Sequence, residues 1–147
     1  MNRNSYGCRT PDIRDYGSEP LIVNIDCFTK QNPYYRTALW TGKHLQVTLM
    51  SIPVHGDIGL EIHSDVDQFI RIEDGCALVM MGKNKTLLNY QQRVSSNYAV
   101  IIPAGTWHNI INIGNTPLKL YSIYAPPQHP SGTAHAAKEG AEDAEKY

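Results

Sequence analysis

The sequence predicts a small all-β protein built as a barrel or sandwich. Alternation of apolar and polar residues marks about eight short strands between residues 39 and 125, spaced roughly 8–12 residues apart, which is typical of such folds. Nine tyrosines and numerous β-branched residues favour sheet, and nine prolines favour turns. No long amphipathic helix is evident. The 147 residues fit a single domain built on one core.

The individual elements follow from the period-two alternation and from the turn residues that separate the strands. A short strand is predicted at residues 21–25, and a turn or short helix at residues 30–37. Asp74-Gly75 and Gly114-Asn115 are typical hairpin dipeptides, so each is expected to join two strands that pair with each other. The later strands are predicted at residues 44–52, 60–63, 68–72, 76–80, 99–102, 108–113 and 118–124.

Three parts are expected along the chain, all within one domain. Residues 1–38 form an irregular N-terminal arm, because they are polar at first and carry Pro11, Gly17 and Pro20. The barrel is expected at about residues 39–125. Residues 126–147 form an extended, proline-rich C-terminal tail that ends in good helix formers, too few for a stable isolated helix.

Composition excludes several classes of function. The formal net charge is −1 and no basic stripe is present, which argues against a nucleic-acid-binding protein. No apolar run approaches the roughly 20 residues of a membrane span, and the N-terminus lacks the apolar stretch of a signal peptide. The three cysteines, Cys8, Cys27 and Cys76, form neither a disulfide framework nor a C-x-x-C pair. A cytoplasmic protein that binds neither nucleic acid nor membrane is therefore expected.

Four side chains form a candidate metal site. Glu61 and His63 are two apart in a predicted strand, so both point to the same face. Gln68 follows after a short turn, on a strand expected to pair beside the first, and His108 comes forty residues later. Two imidazoles, one carboxylate and one amide oxygen suit one divalent transition metal, Mn, Fe, Ni, Co or Zn. Each residue taken alone is more often an ordinary polar side chain.

The same residues lie in two motifs that resemble those of the cupin superfamily. Gly56-x4-Glu61-x-His63-x4-Gln68-x6-Gly75 is similar to the first cupin motif, G-x5-H-x-H-x3/4-E-x6-G. Pro103-x-Gly105-x2-His108-x3-Asn112 matches the second motif, P-x-G-x2-H-x3-N, at every named position. The resemblance spans residues 39–125 and implies a small single-domain cupin, a double-stranded β-helix (jelly-roll) barrel with a metal inside.

Three positions depart from the family pattern. Glu61 replaces the usual first histidine, Gln68 replaces the usual glutamate, and Asn97 replaces a glycine, whose left-handed conformation asparagine tolerates. The first two changes offset each other, because both ligand sets carry one negative charge. The amide of Gln68 is a weaker ligand than a carboxylate, so Gln68 either binds the metal loosely or hydrogen-bonds a bound water or substrate. In either case Glu61, His63 and His108 are the three firm ligands, and they leave open coordination positions on the metal, as in non-haem Fe(II) sites.

The resemblance implies one of the activities found among cupins, which include sugar-phosphate isomerases, dioxygenases, lyases and decarboxylases. Because these proteins share one fold, the fold does not indicate which activity this protein has. The first hypothesis is a metal-dependent isomerase or dioxygenase that acts on a small oxygenated molecule, such as a sugar, sugar phosphate or keto acid. No general base is identifiable. The alternatives are a module that binds metal or a small ligand without turnover, and a structural cupin. A barrel that keeps these residues only as a polar pocket floor is a further alternative.

Some other residues carry weaker expectations. Phe69 is expected in the core, and Tyr121 in the last strand is a candidate for an inward position. His129 and His135 lie in the tail, where they either fold over the barrel mouth or, as tail histidines usually do, face solvent. An exposed sheet edge in so small a barrel predicts a homodimer that pairs through residues 20–50.

Overall fold

A computed structural model describes residues 10–138, which form two antiparallel sheets around one main core and a single short helix. The larger sheet has the strand order β6-β3-β8-β2-β1-β9, and the smaller sheet has the order β5-β4-β7. This architecture confirms the predicted all-β, jelly-roll class. The elements are α1 (Ile25–Gln31), β1 (Arg36–Thr41), β2 (Gln46–Ile52), β3 (Asp67–Asp74), β4 (Ala77–Gly82), β5 (Tyr90–Val94), β6 (Ala99–Ile102), β7 (Trp107–Asn112), β8 (Leu118–Ala125) and β9 (Ala134–His135).

The predicted hairpins at Asp74-Gly75 and Gly114-Asn115 are wrong, although both dipeptides do lie between strands. β3 pairs with β6 and β8, whereas β4 pairs with β5 and β7, so the turn at Gly75 carries the chain from the larger sheet to the smaller one. Gly75 has a φ of +98°, which explains the glycine. The turn at Gly114 likewise leads from β7 back to β8 in the larger sheet. Turn residues mark where the chain reverses, and the sheet packing decides which strands pair.

The strand predicted at residues 21–25 is also wrong. The side chain of Asn24 accepts a hydrogen bond from the Cys27 backbone N–H at 3.0 Å and caps α1, which begins at Ile25. Leu21 and Val23 of this segment are partly buried, because they pack on the outer face of the larger sheet. Among residues 10–138, no helix is long and apolar enough to cross a membrane.

The interior of the barrel is apolar at one end and polar at the other. On the inward face of the larger sheet, Met50 lies opposite Leu120, and the register then places Thr48 opposite Ser122 and Gln68 opposite Tyr124. All of these side chains are buried. The apolar end forms the main core with residues from the smaller sheet, and the polar end provides the surroundings of the candidate metal site.

A second apolar cluster covers the outer face of the larger sheet. Leu39, Leu49 and Tyr121 are buried there beneath residues of the N-terminal arm. Tyr121 lies opposite Leu49 in the β2–β8 pair, so the suggested inward position of Tyr121 is wrong. Phe69 packs half-buried against this outer cluster, outside the barrel interior. Both faces of this sheet are covered, which is why β2 is buried along almost its whole length.

The C-terminal tail returns to the barrel and pairs with it. β9 pairs with β1, and the buried Gln46 side chain hydrogen-bonds the His129 backbone through its amide nitrogen and its amide oxygen, both at 2.9 Å. His129 is only 9% exposed, so the expectation of a solvated histidine is wrong for this residue, while His135 is half-buried. Cys8 and the predicted end of the tail, residues 139–147, lie outside the described residues.

Candidate metal centre

The side chains of Glu61, His63 and His108 converge inside the barrel. One ligand atom from each lies within 4.8 Å of the other two. The Oε1 atom of Glu61 is 3.3 Å from His63 Nε2 and 3.4 Å from His108 Nε2. Two ligands that each lie about 2.0–2.2 Å from one ion are about 3.0–3.5 Å apart. The three firm candidates from the sequence therefore have the mutual spacing that a common metal ion requires.

Backbone pairing places Glu61 beside His108. The Glu61 N–H donates to the His108 carbonyl at 3.0 Å, and the His108 N–H donates to the Glu61 carbonyl at 2.9 Å, which is the reciprocal pattern of an antiparallel pair. The segment that carries Glu61 and His63 is thus a neighbour of β7, and the predicted pairing with the strand of Gln68 is wrong. The short stretch before β3 crosses between the sheets and does not form a hairpin.

The turn before β7 positions His63. The Gly105 N–H donates to the His63 carbonyl at 2.8 Å. Gly105 has a φ of +80°, and a Cβ built there would meet no atom within 4 Å, so backbone conformation alone explains the glycine. The Ala104 N–H also donates to the Asp67 side chain at 2.9 Å. The Pro103–Gly105 part of the second motif therefore ties His63 to the segment that leads to His108.

Two other motif positions have structural roles. Asn112 is buried and donates to the Ile52 and Thr116 carbonyls, both at 3.0 Å, while its side-chain oxygen accepts from the Gly114 N–H at 2.9 Å. These bonds hold the corner between β7 and β8. Asn97 has a φ of +74°, which is the left-handed conformation expected where the family has glycine.

The polar atoms of the three side chains favour a cation between them. His108 Nδ1 lies 3.0 Å from the Thr106 carbonyl, which can only accept, so Nδ1 donates and Nε2 is the atom that faces Glu61. The Nε2 atoms of His63 and His108 are buried, and within the described residues neither forms a hydrogen bond of normal geometry, although each lies close to Glu61 Oε1. Burial raises the pKa of Glu61, but His108, His63 and the charge of Arg36 lower it more, so this pKa lies well below its usual range. A carboxylate and two buried imidazole nitrogens that face it fit a divalent metal.

Gln68 lies on the inward face of β3 and is buried. Its amide nitrogen donates to Ser122 Oγ at 3.3 Å, and its amide oxygen is buried with no hydrogen-bond partner in the part of the chain that the structure describes. An amide oxygen left free inside the barrel is available to a ligand or a water. Direct ligation of the metal by Gln68 remains a prediction.

Two further side chains near the triad were not anticipated as part of the site. The Tyr124 ring lies edge-on to His63, with centroids 5.8 Å apart, and to His129, with centroids 5.1 Å apart. Burial raises the pKa of Tyr124 to about 12 and lowers that of His129 to about 3, so both are neutral near pH 7. The alternation of β8 could have identified Tyr124, which is in phase with Ser122. For His129, the sequence left open whether the tail folds over the barrel mouth or faces solvent.

Residues 48–124 match the family model of the cupin domain, and this match covers more than half of the chain. The protein belongs to the cupin family. This cupin is 61% identical over 143 residues to the uncharacterized protein YrkC of Bacillus subtilis strain 168, covering 97% of this chain and 77% of YrkC. It is 48% identical over 116 residues to the uncharacterized protein L612 of Acanthamoeba polyphaga mimivirus, covering 78% of this chain and 71% of L612.

A solved structure shares the fold of this cupin. The crystal structure of BH2720 from Bacillus halodurans has a TM-score of 0.88 and 59% sequence identity, covering 89% of this chain and 99% of that one. The family resemblance of the two sequence motifs is thereby confirmed.

Proposed function

We propose that this cupin binds one divalent transition-metal ion, Mn, Fe, Ni, Co or Zn, through Glu61, His63 and His108. The observation that carries the proposal is the mutual spacing of 3.3 and 3.4 Å between Glu61 Oε1 and the two Nε2 atoms. The burial of both Nε2 atoms supports it, because within residues 10–138 neither forms a hydrogen bond of normal geometry. Two imidazoles and one carboxylate occupy only part of the coordination sphere of such an ion and leave positions for a ligand.

We further propose that a small oxygenated molecule binds the ion at these open positions. A divalent ion with one carboxylate has a net charge of +1, and the buried Arg36 adds positive charge nearby, so an anionic sugar phosphate or keto acid is favoured over a neutral sugar. An ion held by these residues would supply Lewis-acid polarisation of a carbonyl or chemistry with O₂. Gln68 is proposed to bind the ion loosely or to orient a water or the ligand through its free amide oxygen.

Turnover by a metal-dependent isomerase or dioxygenase is the first candidate activity. A second candidate is a module that binds metal and ligand without turnover. It is supported by Tyr124 and His129, whose pKa values of about 12 and about 3 are too far from neutrality for an efficient general acid or base.

Cobalt substitution tests the proposed function. Co(II) added to the metal-free protein should produce visible absorption bands that reach a maximum at one ion per chain. Pyruvate, a small keto acid, should then change the position and intensity of the bands because it enters the coordination sphere. Bands that ignore pyruvate, sugar phosphates and other oxygenated acids would contradict ligand binding at the ion. A protein that gives no bands would contradict the metal site itself.

We also propose that the protein is a cytoplasmic homodimer that pairs through residues 20–50. Ile22 is fully exposed and Leu45 is 38% exposed, so this region offers apolar side chains to a second copy. Cys76 is exposed and forms no disulfide within the described residues, which is typical of a reducing compartment.

A further inference from the structure

A cavity of about 520 Å³ opens beside the edge strands β5 and β6, which do not pair with each other. Its walls are mainly apolar and include Met81, Leu87, Tyr90 and Ile101. This volume lies within the range of about 300–1,000 Å³ that is typical of small-molecule sites. The cavity is therefore large enough for a ring or a branched aliphatic group.

The cavity adjoins the candidate metal centre. Met81 is the cross-strand partner of His108 in the β4–β7 pair, so both side chains lie on the same face of the smaller sheet, and Met81 packs against the main core. Thr106, whose carbonyl accepts from His108 Nδ1, also lines the cavity. The cavity thus begins beside one of the three proposed ligands.

The apolar side chains of this cavity are unusually exposed. Leu87 is 61% exposed, Tyr90 is 62% exposed and Ile101 is 67% exposed. Single exposed apolar residues are common on protein surfaces, but several around one concave site indicate a surface that is covered when the protein functions. Lys83 also lines the cavity and supplies a positive charge.

We propose that this cavity binds the apolar part of the molecule whose oxygen donors bind the ion at Glu61, His63 and His108. This inference rests on the proposed function and narrows its substrate class. The ligand is a 2-oxo acid, or a similar small chelating acid, that carries an aromatic or branched aliphatic group. The apolar wall gives few hydrogen-bond partners to the hydroxyl groups of a sugar, whose burial there is unfavourable. The positive metal centre and Lys83 both favour an acid.

Two acids that differ only in the apolar group provide the test. Pyruvate and phenylglyoxylate share the 2-oxo acid head, and the second carries a phenyl ring in place of a methyl group. Their affinities for the Zn(II)-loaded full-length protein are measured by calorimetry. Because the ring is buried in the cavity, phenylglyoxylate should bind about 10–100-fold more tightly than pyruvate.

The Ile101→Thr variant links this preference to the cavity. It should reduce the preference for phenylglyoxylate about 3–10-fold, because part of the apolar wall is lost. Ile113→Thr is the matched control, since Ile113 is 44% exposed and lies outside the cavity, and it should leave the preference unchanged. Both variants should bind Zn(II) as the wild type does, which shows that they are folded.

Three results would overturn the inference. If both acids bind with equal affinity and only in the presence of Zn(II), the cavity does not contribute to ligand binding, and the proposed metal site is unaffected. A protein that binds no Zn(II) would overturn the proposed function and this inference together. Lack of discrimination, combined with loss of a dimer on Ile101→Thr in sedimentation experiments, would show that a second copy of the chain covers the cavity.

Discussion

Replacement of Gln46 by alanine tests how the C-terminal tail is held on the barrel. The buried Gln46 amide nitrogen donates to Thr41 Oγ1 at 3.0 Å and to the His129 carbonyl at 2.9 Å. Its amide oxygen accepts from the backbone N–H groups of Gln128 at 3.2 Å and of His129 at 2.9 Å. Alanine removes all of these bonds and leaves buried backbone groups of the tail without partners.

The expected magnitude follows from the number of bonds. Each contributes about 1 kcal/mol of net stability, so the free energy of unfolding should fall by about 3–4 kcal/mol. For a chain of this length, that loss corresponds to a decrease in Tm of about 10 °C. Because the tail can detach while the barrel stays folded, exchange of the His129 amide hydrogen should accelerate more than exchange in β3 or β8.

Urea unfolding and hydrogen exchange measure both effects. Gln92→Ala is the matched control, because Gln92 is exposed on β5, and it should change neither the urea midpoint nor the exchange at His129. A Gln46→Ala protein that keeps the wild-type midpoint and a protected His129 amide would refute the role assigned to Gln46.

Three other predictions address the buried histidine, the site turn and the oligomer. Burial lowers the pKa of His129 to about 3. Below about pH 6.5, His129 therefore takes up a proton in the unfolded chain but not in the folded protein. The free energy of unfolding should fall from pH 6.5 to 4 by on the order of 1 kcal/mol per pH unit. His129→Gln should flatten this slope in urea titrations, and identical slopes would contradict the assignment. Gly105→Ala should lower the free energy of unfolding by about 1–2 kcal/mol, because Gly105 has a φ of +80°. It should also weaken Zn(II) binding in calorimetry, because the Gly105 N–H holds the His63 carbonyl. An unchanged urea midpoint would contradict this prediction. Wild-type protein should sediment as a dimer and the Ile22→Ser, Leu45→Ser double variant as a monomer, and a monomeric wild type would contradict the homodimer.

Six of the nine described strands, β2, β3, β4, β6, β7 and β8, could be predicted because period-two alternation reports which side chains a strand buries. β1, β5 and β9 were not predicted, and the strand predicted at residues 60–63 is only an isolated bridge. Alternation does not report which strand lies alongside, and this is why Asp74-Gly75 indicates a turn yet joins strands of different sheets. Leu21 and Val23 are partly buried on the outer face of the larger sheet, and Asn24 caps a helix where a strand was predicted. Such outcomes depend on tertiary packing that local patterns do not contain.

The residues of the candidate site also fall into those that local sequence patterns predict and those that they do not. The i, i+2 spacing of Glu61 and His63 is a local property, and the motif around His108 supplied the third member from a distant part of the chain. Arg36 and His129 come from the start of β1 and from the tail, and hydrogen bonds such as those of Gln46 decide where the tail lies. No spacing rule links these residues to the triad, so they could be found only from the folded structure.

The central claim is that Glu61, His63 and His108 bind one divalent ion. The most direct test is the stoichiometry of Zn(II) retained after dialysis, determined by elemental analysis of wild-type protein, Glu61→Gln and the control His44→Ala, an exposed histidine. Circular dichroism confirms that each variant is folded. We expect one ion per chain for wild type and for His44→Ala, and an affinity at least about 100-fold lower for Glu61→Gln, because loss of a ligand costs more than loss of the outer partners that orient ligands. Wild-type protein without stoichiometric Zn(II), or equal retention by folded Glu61→Gln, would contradict the claim.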